Sequence, residues 1–212
     1  MHLLKLASLS LGLPLLTACS LFSSTAENNP LLNTQRLQGT LNKNIDNSWT
    51  LITCDKKQLK LTAHNEYLEN LNTLEANGSF VDIAGQLEGH SFTPVKVYRT
   101  QREGFACDDA RFKRLILRAM GNEPAWIATI ENNGFLLQRL GEPAQAVPYI
   151  EEQLPNGNIN ISATIDGQPL QLWLTEQHCN DSMADNQYHL TAELRIGQNI
   201  ERGCAYFGLQ HQ

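Results

Sequence analysis

The sequence has little charge of either sign and no basic excess. Only 18% of its 212 residues are charged, and 22 Asp and Glu residues outnumber 16 Lys and Arg residues, for a net charge of −6. Proteins that bind the phosphate backbone of nucleic acids carry basic patches, so the excess of acidic residues argues against a nucleic-acid partner. With 14 glycines and 8 prolines, the chain is neither collagen-like nor disordered in composition. We therefore expect a globular protein with a sizeable core.

Motifs of the common catalytic and metal centres are also missing. No serine lies in a GxSxG segment, no two cysteines form a CxxC pair, and the histidines show no metal-ligand spacing. His178 precedes Cys179, but we expect that cysteine to form a disulfide, so neither a metal nor a cofactor is predicted. Asp181 and Asp185 lack the glycine and the closing glutamate of a calcium loop. The sequence therefore favours a protein that is not an enzyme.

Residues 1–18 have the form of a secretory signal peptide. Lys5 precedes an apolar stretch that ends at Leu16, which is too short and interrupted for a spanning helix of about 20 apolar residues. The segment Leu16-Thr17-Ala18-Cys19 resembles the lipobox of bacterial lipoproteins. The resemblance implies cleavage before Cys19, a diacylglycerol on its sulfur and an N-acyl chain on its amino group. An ordinary signal peptide with an incidental cysteine is the alternative.

The residue after Cys19 bears on location. It is Ser20 rather than aspartate, and by the sorting rule of enteric lipoproteins this resembles a protein directed to the outer membrane. The implied location is the outer membrane, with a lipid anchor and the soluble body in the periplasm. Several acyl chains anchor a protein to the membrane far more firmly than one does, because each buried CH₂ contributes about 0.8 kcal/mol. Residues 19–35 are predicted to form the lipidated cysteine and a flexible tether rich in Ser, Asn and Thr.

Four cysteines follow the tether, an even number in a chain that we expect to enter an oxidising compartment. Three pairings are possible. We predict Cys54–Cys107 and Cys179–Cys204, because each pair then lies within one half of the chain. A tryptophan shortly precedes the first cysteine of each pair. Each bridge would stabilise its half by about 3.5 to 4 kcal/mol on the chain-entropy model.

Alternation of apolar and polar residues dominates the rest of the chain. It is clearest in residues 159–165 and 190–196, which are followed by the turn signals Asp166-Gly167 and Gly197-Gln198. Similar strands are predicted over residues 49–54, 59–63, 80–87, 95–100, 114–119, 126–131, 135–140, 170–175 and 200–207. Leucines three residues apart predict one helix over residues 64–76. For residues 180–187 a helical turn and a loop are both considered.

Many short strands with regular turns are typical of barrels and sandwiches. We predict a mainly β protein with two small antiparallel barrel or sandwich modules, one short helix and disulfide links. The modules are expected at residues 36–109 and 110–212. One continuous barrel built from the same strands is the alternative.

Two segments of the second half are distinctive. Gly121-Asn122-Glu123-Pro124 precedes Trp126, and the segment CNDSMADNQY runs from Cys179 to Tyr188. With the closing Gly203-Cys204, they resemble a group of uncharacterised bacterial envelope proteins that carry GNEPxW, CxDxMSDxxY and GC segments. Ala184 stands where that group has serine. The resemblance covers about the last 100 residues and supports the fold and the disulfides, and it implies no activity.

Residues of these segments are the candidate binding residues. They are Asn122, Glu123, Trp126, Asp181, Asp185 and Tyr188. Together with Trp173, we expect them to line one barrel mouth, a common location for a ligand. The alternative is that the tryptophans are core residues and that the polar groups cap turns.

The anchor, the acidic exported body and the missing catalytic motifs favour a non-enzymatic binding or interaction module of the cell envelope. Its partners would be the membrane, through the anchor, and another envelope protein or a cell-wall component. An inhibitor of a lytic enzyme such as lysozyme is one version, because an acidic surface steers association with a basic enzyme. A small-ligand or metal-sensing envelope lipoprotein is the alternative. An envelope enzyme would need a catalytic group assembled from distant residues.

Overall fold

The computed structural model describes residues 34–63, 77–181, 183 and 186–211. Within them the chain is mainly β, as the sequence predicts, and it has fourteen strands and one short helix. The signal peptide, Cys19, the helix predicted over residues 64–76 and Asp185 lie outside the described residues. The predicted tether extends one residue too far, because Gln35 already belongs to the first strand.

Five strands of the first half form a small barrel. They are β1 (Gln35–Lys43), β2 (Trp49–Thr53), β3 (Gln58–Leu61), β4 (Phe80–Glu88) and β5 (Ser91–Gln101). β1 pairs with β2 and β4, β4 pairs with β5, and β3 runs parallel to β5. β2 also pairs with β3, so these pairings close the five strands into a barrel. Buried Leu41, Trp49, Leu51 and Phe92 belong to its core.

The second half contains the helix and nine strands. They are α1 (Ala110–Arg114), β6 (Leu115–Asn122), β7 (Ala125–Glu131), β8 (Gly134–Arg139), β9 (Gln145–Val147), β10 (Tyr149–Gln153), β11 (Ile159–Ile165), β12 (Gln168–Asp181), β13 (Asn186–Ile196) and β14 (Asn199–Phe207). The Asp109 side chain caps α1 by accepting a hydrogen bond from the Arg111 amide.

β14 pairs with β6, β8 with β9 and β10 with β11, so that the nine strands surround one apolar core; we call this arrangement the ring. β9 and β10 share one position in it, since β9 pairs with β8 and β10 with β11 on either side of Pro148. Alternate side chains point inward, as the pattern of residues 159–165 and 190–196 predicts, and they join Trp126 and Phe135 in one apolar core. The buried members of this core are at most 8% exposed. Side chains therefore fill the inside of the ring.

The long β12–β13 hairpin joins the barrel and the ring. Near its tip, Gln187 and Tyr188 of β13 pair with Thr100 and Arg99 of β5. Both predicted disulfides are confirmed. The Cys54–Cys107 bridge links the residue after β2 to the segment before α1, and the Cys179–Cys204 bridge links β12 to β14. The barrel and the ring thus belong to one hydrogen-bonded sheet path.

The contact between barrel and ring, which we call the junction, buries charged groups. The Arg99 guanidinium lies 4.1 Å from the ring centre of Phe80 and 4.0 Å from that of Tyr206. Burial lowers the pKa of Arg99 to about 10, so the side chain remains charged at neutral pH. Next to it, buried Asp82 accepts two hydrogen bonds from the Arg36 guanidinium, at 2.7 and 2.6 Å. The junction is therefore held together by cation–π contacts and an ion pair as well as by apolar packing.

Most predicted strands are confirmed, with ends that shift by a few residues, but the sequence pattern misses β1, β9, β10 and α1. The helical turn considered for residues 180–187 is wrong for the part that the structure describes. There, Asn180 and Asp181 pair with Gln187 and Asn186 in the β12–β13 hairpin. Pairing across the hairpin overrides the local preference of Asn and Asp for turns.

Candidate functional site

An open groove of about 840 Å³ lies on the outer face of the ring. Its floor consists of outward side chains of β12 and β13, whose neighbours along each strand point into the core. Its walls are Asn180, Asp181 and Met183 at the end of β12 and the turn between β6 and β7. The lining includes Trp173, Thr175, Gln177, Thr191, Glu193, Arg195 and Arg202.

The two distinctive sequence segments meet at this groove. Asn122, at the end of β6, donates a hydrogen bond from Nδ2 to Asp181 Oδ1 (2.9 Å), across 59 residues of sequence. The same oxygen accepts a hydrogen bond from the Met183 amide (3.0 Å). Glu123 is exposed beside them, before a cis peptide bond to Pro124. The structure thus brings Asn122, Glu123 and Asp181 together.

Trp126 and Tyr188 do not line the groove. Trp126 is 1% exposed inside the ring, and Tyr188 is 2% exposed at the junction, where it stacks on Tyr206 with ring centres 5.4 Å apart. Burial raises the pKa of Tyr188 to about 12, so its phenol stays protonated. The predicted mouth of six candidates and Trp173 is therefore wrong. The groove is on the outer face, two of the aromatic candidates are buried, and Asp185 lies outside the described residues.

The glycine of the GNEPxW segment is required by the packing of Trp126. Gly121 and Trp126 are opposite each other in the β6–β7 pair, and a Cβ at Gly121 would lie 2.3 Å from Trp126 Nε1. The indole N–H has no hydrogen-bond partner among the described residues. The segment therefore combines a structural tryptophan with a polar turn that faces the groove.

The Cys179–Cys204 bridge belongs to the groove wall. The β12–β13 register shifts between Glu176 and Cys179, and the bridge then joins β12 to β14 although β13 lies between them in the sheet. The end of the hairpin is thereby held against β14. This position brings Asp181 within reach of Asn122 on β6.

Charged side chains on the groove floor are paired. Glu193 accepts a hydrogen bond from Arg195 Nε (2.7 Å) and lies 3.4 Å from Arg202 Nη2. The Arg195 guanidinium is 5.2 Å from the ring centre of Trp173. Exposed ion pairs of this kind contribute about 0–1 kcal/mol, because water screens them. These side chains can therefore rearrange around a ligand at little energetic cost.

Sequence reasoning does not single out Glu193, Arg195 or Arg202 as site residues. The alternation in residues 190–196 does mark Glu193 and Arg195 as outward, which was the available signal. The alternation within one strand does not indicate which strands lie beside it in the sheet, so it cannot predict the groove. Trp173, expected at a barrel mouth, lies on the groove floor instead.

Among the described residues, no group of three or more His, Cys, Asp or Glu is arranged to hold a metal ion. In the same part of the chain, no helix is long and apolar enough to cross a membrane. Comparison of the chain with protein-family models, with curated proteins and with solved structures finds no significant match.

Proposed function

We propose that this protein is an outer-membrane lipoprotein that is anchored through Cys19 and acts in the periplasm by binding a partner, without catalysis. The lipobox-like segment of residues 16–19 and the Ser/Asn/Thr-rich segment after it support the anchor. A diacylglycerol and an N-acyl chain on Cys19 are its proposed lipid additions. The partner is another envelope protein or a cell-wall component.

The observation that carries the binding function is the groove on the outer face of the ring. It combines Trp173 with Arg195, Arg202 and neutral polar groups, and aromatic and arginine side chains are enriched in binding surfaces. The interior of the ring is filled by apolar side chains, so a small ligand carried inside it has no support. Inhibition of a basic lytic enzyme is one form of this function, because the net charge of −6 would steer such a partner toward the protein.

Site-specific photo-cross-linking in cells tests the groove. A photoreactive amino acid at Gln177, on the groove wall, is expected to give discrete adducts with one or a few envelope components. The matched control carries the same group at Ile150, which is 67% exposed on β10, two strands away from β12. Identical adducts from both positions, or none from either, would contradict the groove as the binding surface.

Metabolic labelling with palmitate tests the anchor separately. The wild-type chain is expected to incorporate the label and to fractionate with the outer membrane. A Cys19→Ser variant is expected to lose both properties, because it has no thiol for the diacylglycerol. An unlabelled wild-type protein would contradict the anchor while leaving the groove experiment valid.

A further inference from the structure

We propose that the groove binds an extended glycan, a hydroxyl-rich polysaccharide chain of the cell envelope. The inference rests on the proposed binding function and names the chemical class of its ligand. Four features of the groove support it, namely its length, its position on a sheet face, its side chains and its charge balance.

The groove is longer than its main cavity. A second depression of about 480 Å³ shares Arg195 with the first and is lined by Pro169, Gln171, Gly197, Gln198 and Ile200. Along β12 the combined lining extends from Pro169 to Asp181, roughly 40 Å at about 3.3 Å per residue. Such an open trough fits a chain-like ligand better than a compact small molecule, which prefers an enclosed pocket.

The floor of the trough is a sheet face. β12 pairs with β11 and β13, β13 pairs with β14, and β14 pairs with β6. A peptide that binds by strand addition needs an unpaired edge. In the described strands, Leu170–Leu174 of β12 have partners on both sides, whereas residues 175–181 pair with β13 alone. Over this first part of β12, recognition therefore depends on the side chains that project from the sheet.

These side chains suit sugar hydroxyl groups. Gln171, Thr175, Gln177, Asn180 and Thr191 supply amide or hydroxyl groups, which both donate and accept hydrogen bonds. Glu193 and Arg195 add a planar carboxylate and a planar guanidinium, each of which can form two parallel hydrogen bonds. Trp173 Nε1 donates to Gln171 Oε1 (3.1 Å), which orients an indole on which the C–H face of a pyranose ring can stack.

The charge balance favours a polymer of low charge. Over the whole lining, Glu123, Asp181 and Glu193 balance Arg195 and Arg202, so the groove has no excess of positive charge to attract an anionic chain. Glu123 and Asp181 lie at one end, next to Asn122. A basic protein would be drawn to that end alone, and the trough beyond it would have no role.

Binding assays with defined polysaccharides test the proposal. The mature lipoprotein in detergent is mixed with purified peptidoglycan sacculi, with purified O-polysaccharide, or with a hexasaccharide of β-1,4-linked N-acetylglucosamine. We expect saturable binding to at least one of these probes. Sacculi and hexasaccharide indicate the cell-wall glycan, whereas O-polysaccharide alone indicates a surface polysaccharide.

Matched variants show whether the binding uses the groove. Trp173→Ala is expected to weaken binding about tenfold, because a stacked tryptophan is a typical hot spot. Trp173→Phe, which keeps an aromatic face, is expected to retain most of the affinity. Ile150→Ala, on β10 two strands away from β12, is expected to bind as the wild type does. Equal melting temperatures of the variants exclude unfolding as the cause.

Two results would overturn the glycan proposal. One is the absence of binding to all three probes, and the other is equal binding by Trp173→Ala and the wild type. Adducts between the Gln177 probe and an envelope protein would persist in either case if the groove binds a protein. The failure of the glycan proposal is therefore distinguishable from the failure of the binding function itself.

Discussion

The ring interior and the junction are both buried, but their chemistry differs. The ring interior is an apolar core that includes Trp126. At the junction, Asp82, Arg99 and His189 are each at most 7% exposed. Apolar burial contributes about 25 cal/mol per Å² and does not titrate, whereas a buried ionisable group makes stability depend on pH. The groove belongs to neither region, so its side chains can be changed without loss of the fold.

The largest expected effect comes from opening the ring interior. Trp126→Ala is expected to lower the free energy of unfolding by about 3–5 kcal/mol, because it leaves a cavity in a filled core. Trp173→Ala, in the groove, is expected to lower it by less than about 1 kcal/mol. Chemical denaturation of both variants measures the difference. Similar losses would contradict the assignment of one tryptophan to the core and the other to the binding surface.

Removal of the Cys179–Cys204 disulfide should destabilise the wall of the groove. The double variant Cys179→Ser with Cys204→Ser is expected to lose about 3.5 kcal/mol, since the bridge closes a loop of 25 residues. The hairpin tip is no longer held against β14, so adducts from the Gln177 probe should also decrease. Unchanged stability together with unchanged adducts would contradict the role of the bridge in the groove wall.

Acid should weaken the junction and not the ring interior. His189 lies 3.1 Å from the Tyr98 carbonyl through Nδ1, and burial lowers its pKa to about 4 from an ordinary 6.5, helped by Arg36. In this range the unfolded chain takes up the proton and the folded chain does not. Stability therefore falls from about pH 6.5 to pH 4, by about 2–3 kcal/mol from this group.

A histidine pair tests the source of that pH dependence. His189→Asn is expected to flatten the curve of unfolding free energy between pH 6.5 and 4, because the asparagine does not titrate. His178→Asn is the matched control, since this histidine is exposed on β12. A curve that flattens equally in both variants, or in neither, would contradict the assignment to the junction.

The smallest expected effect is the replacement of the buried Arg99 by an apolar residue. Arg99→Met is expected to change the free energy of unfolding by less than about 1 kcal/mol, because relief of the buried charge offsets the lost contacts. Asp82 keeps Arg36 as its partner, so no new unpaired charge is created. Thermal denaturation at neutral pH measures the change. A loss as large as that of Trp126→Ala would show that the arginine dominates the junction.

Most strands with one buried face could be predicted from the sequence, although β1 was missed, and the exposed β9 and β10 could not. Residues 159–165 alternate because one side of β11 faces the core. β10 gives no such signal, since Ile150, Glu151 and Glu152 are all exposed, and β9 has only three residues before Pro148. β9 pairs with the preceding strand β8 and β10 with the following strand β11, so each is specified by its neighbour and not by a pattern of its own.

Local sequence patterns also predict only part of the candidate site. Asn122 and Asp181 could be chosen because their segments are distinctive, and a hydrogen bond joins them in the structure. The segment does not reveal that Trp126 points inward while Asn122 points to the groove. That distinction depends on the close approach of Gly121 and Trp126 across the β6–β7 pair. The floor of the groove depends on strand order, which is a property of the whole ring.

The most direct test of a binding surface that is separate from the core measures two properties of one variant. Trp173→Ala is introduced into the chain that carries the photoreactive group at Gln177, with Ile150→Ala as the control. We expect Trp173→Ala to abolish most of the adducts while its melting temperature stays close to that of the control. Undiminished adducts, or adducts that are lost only in step with unfolding, would contradict it.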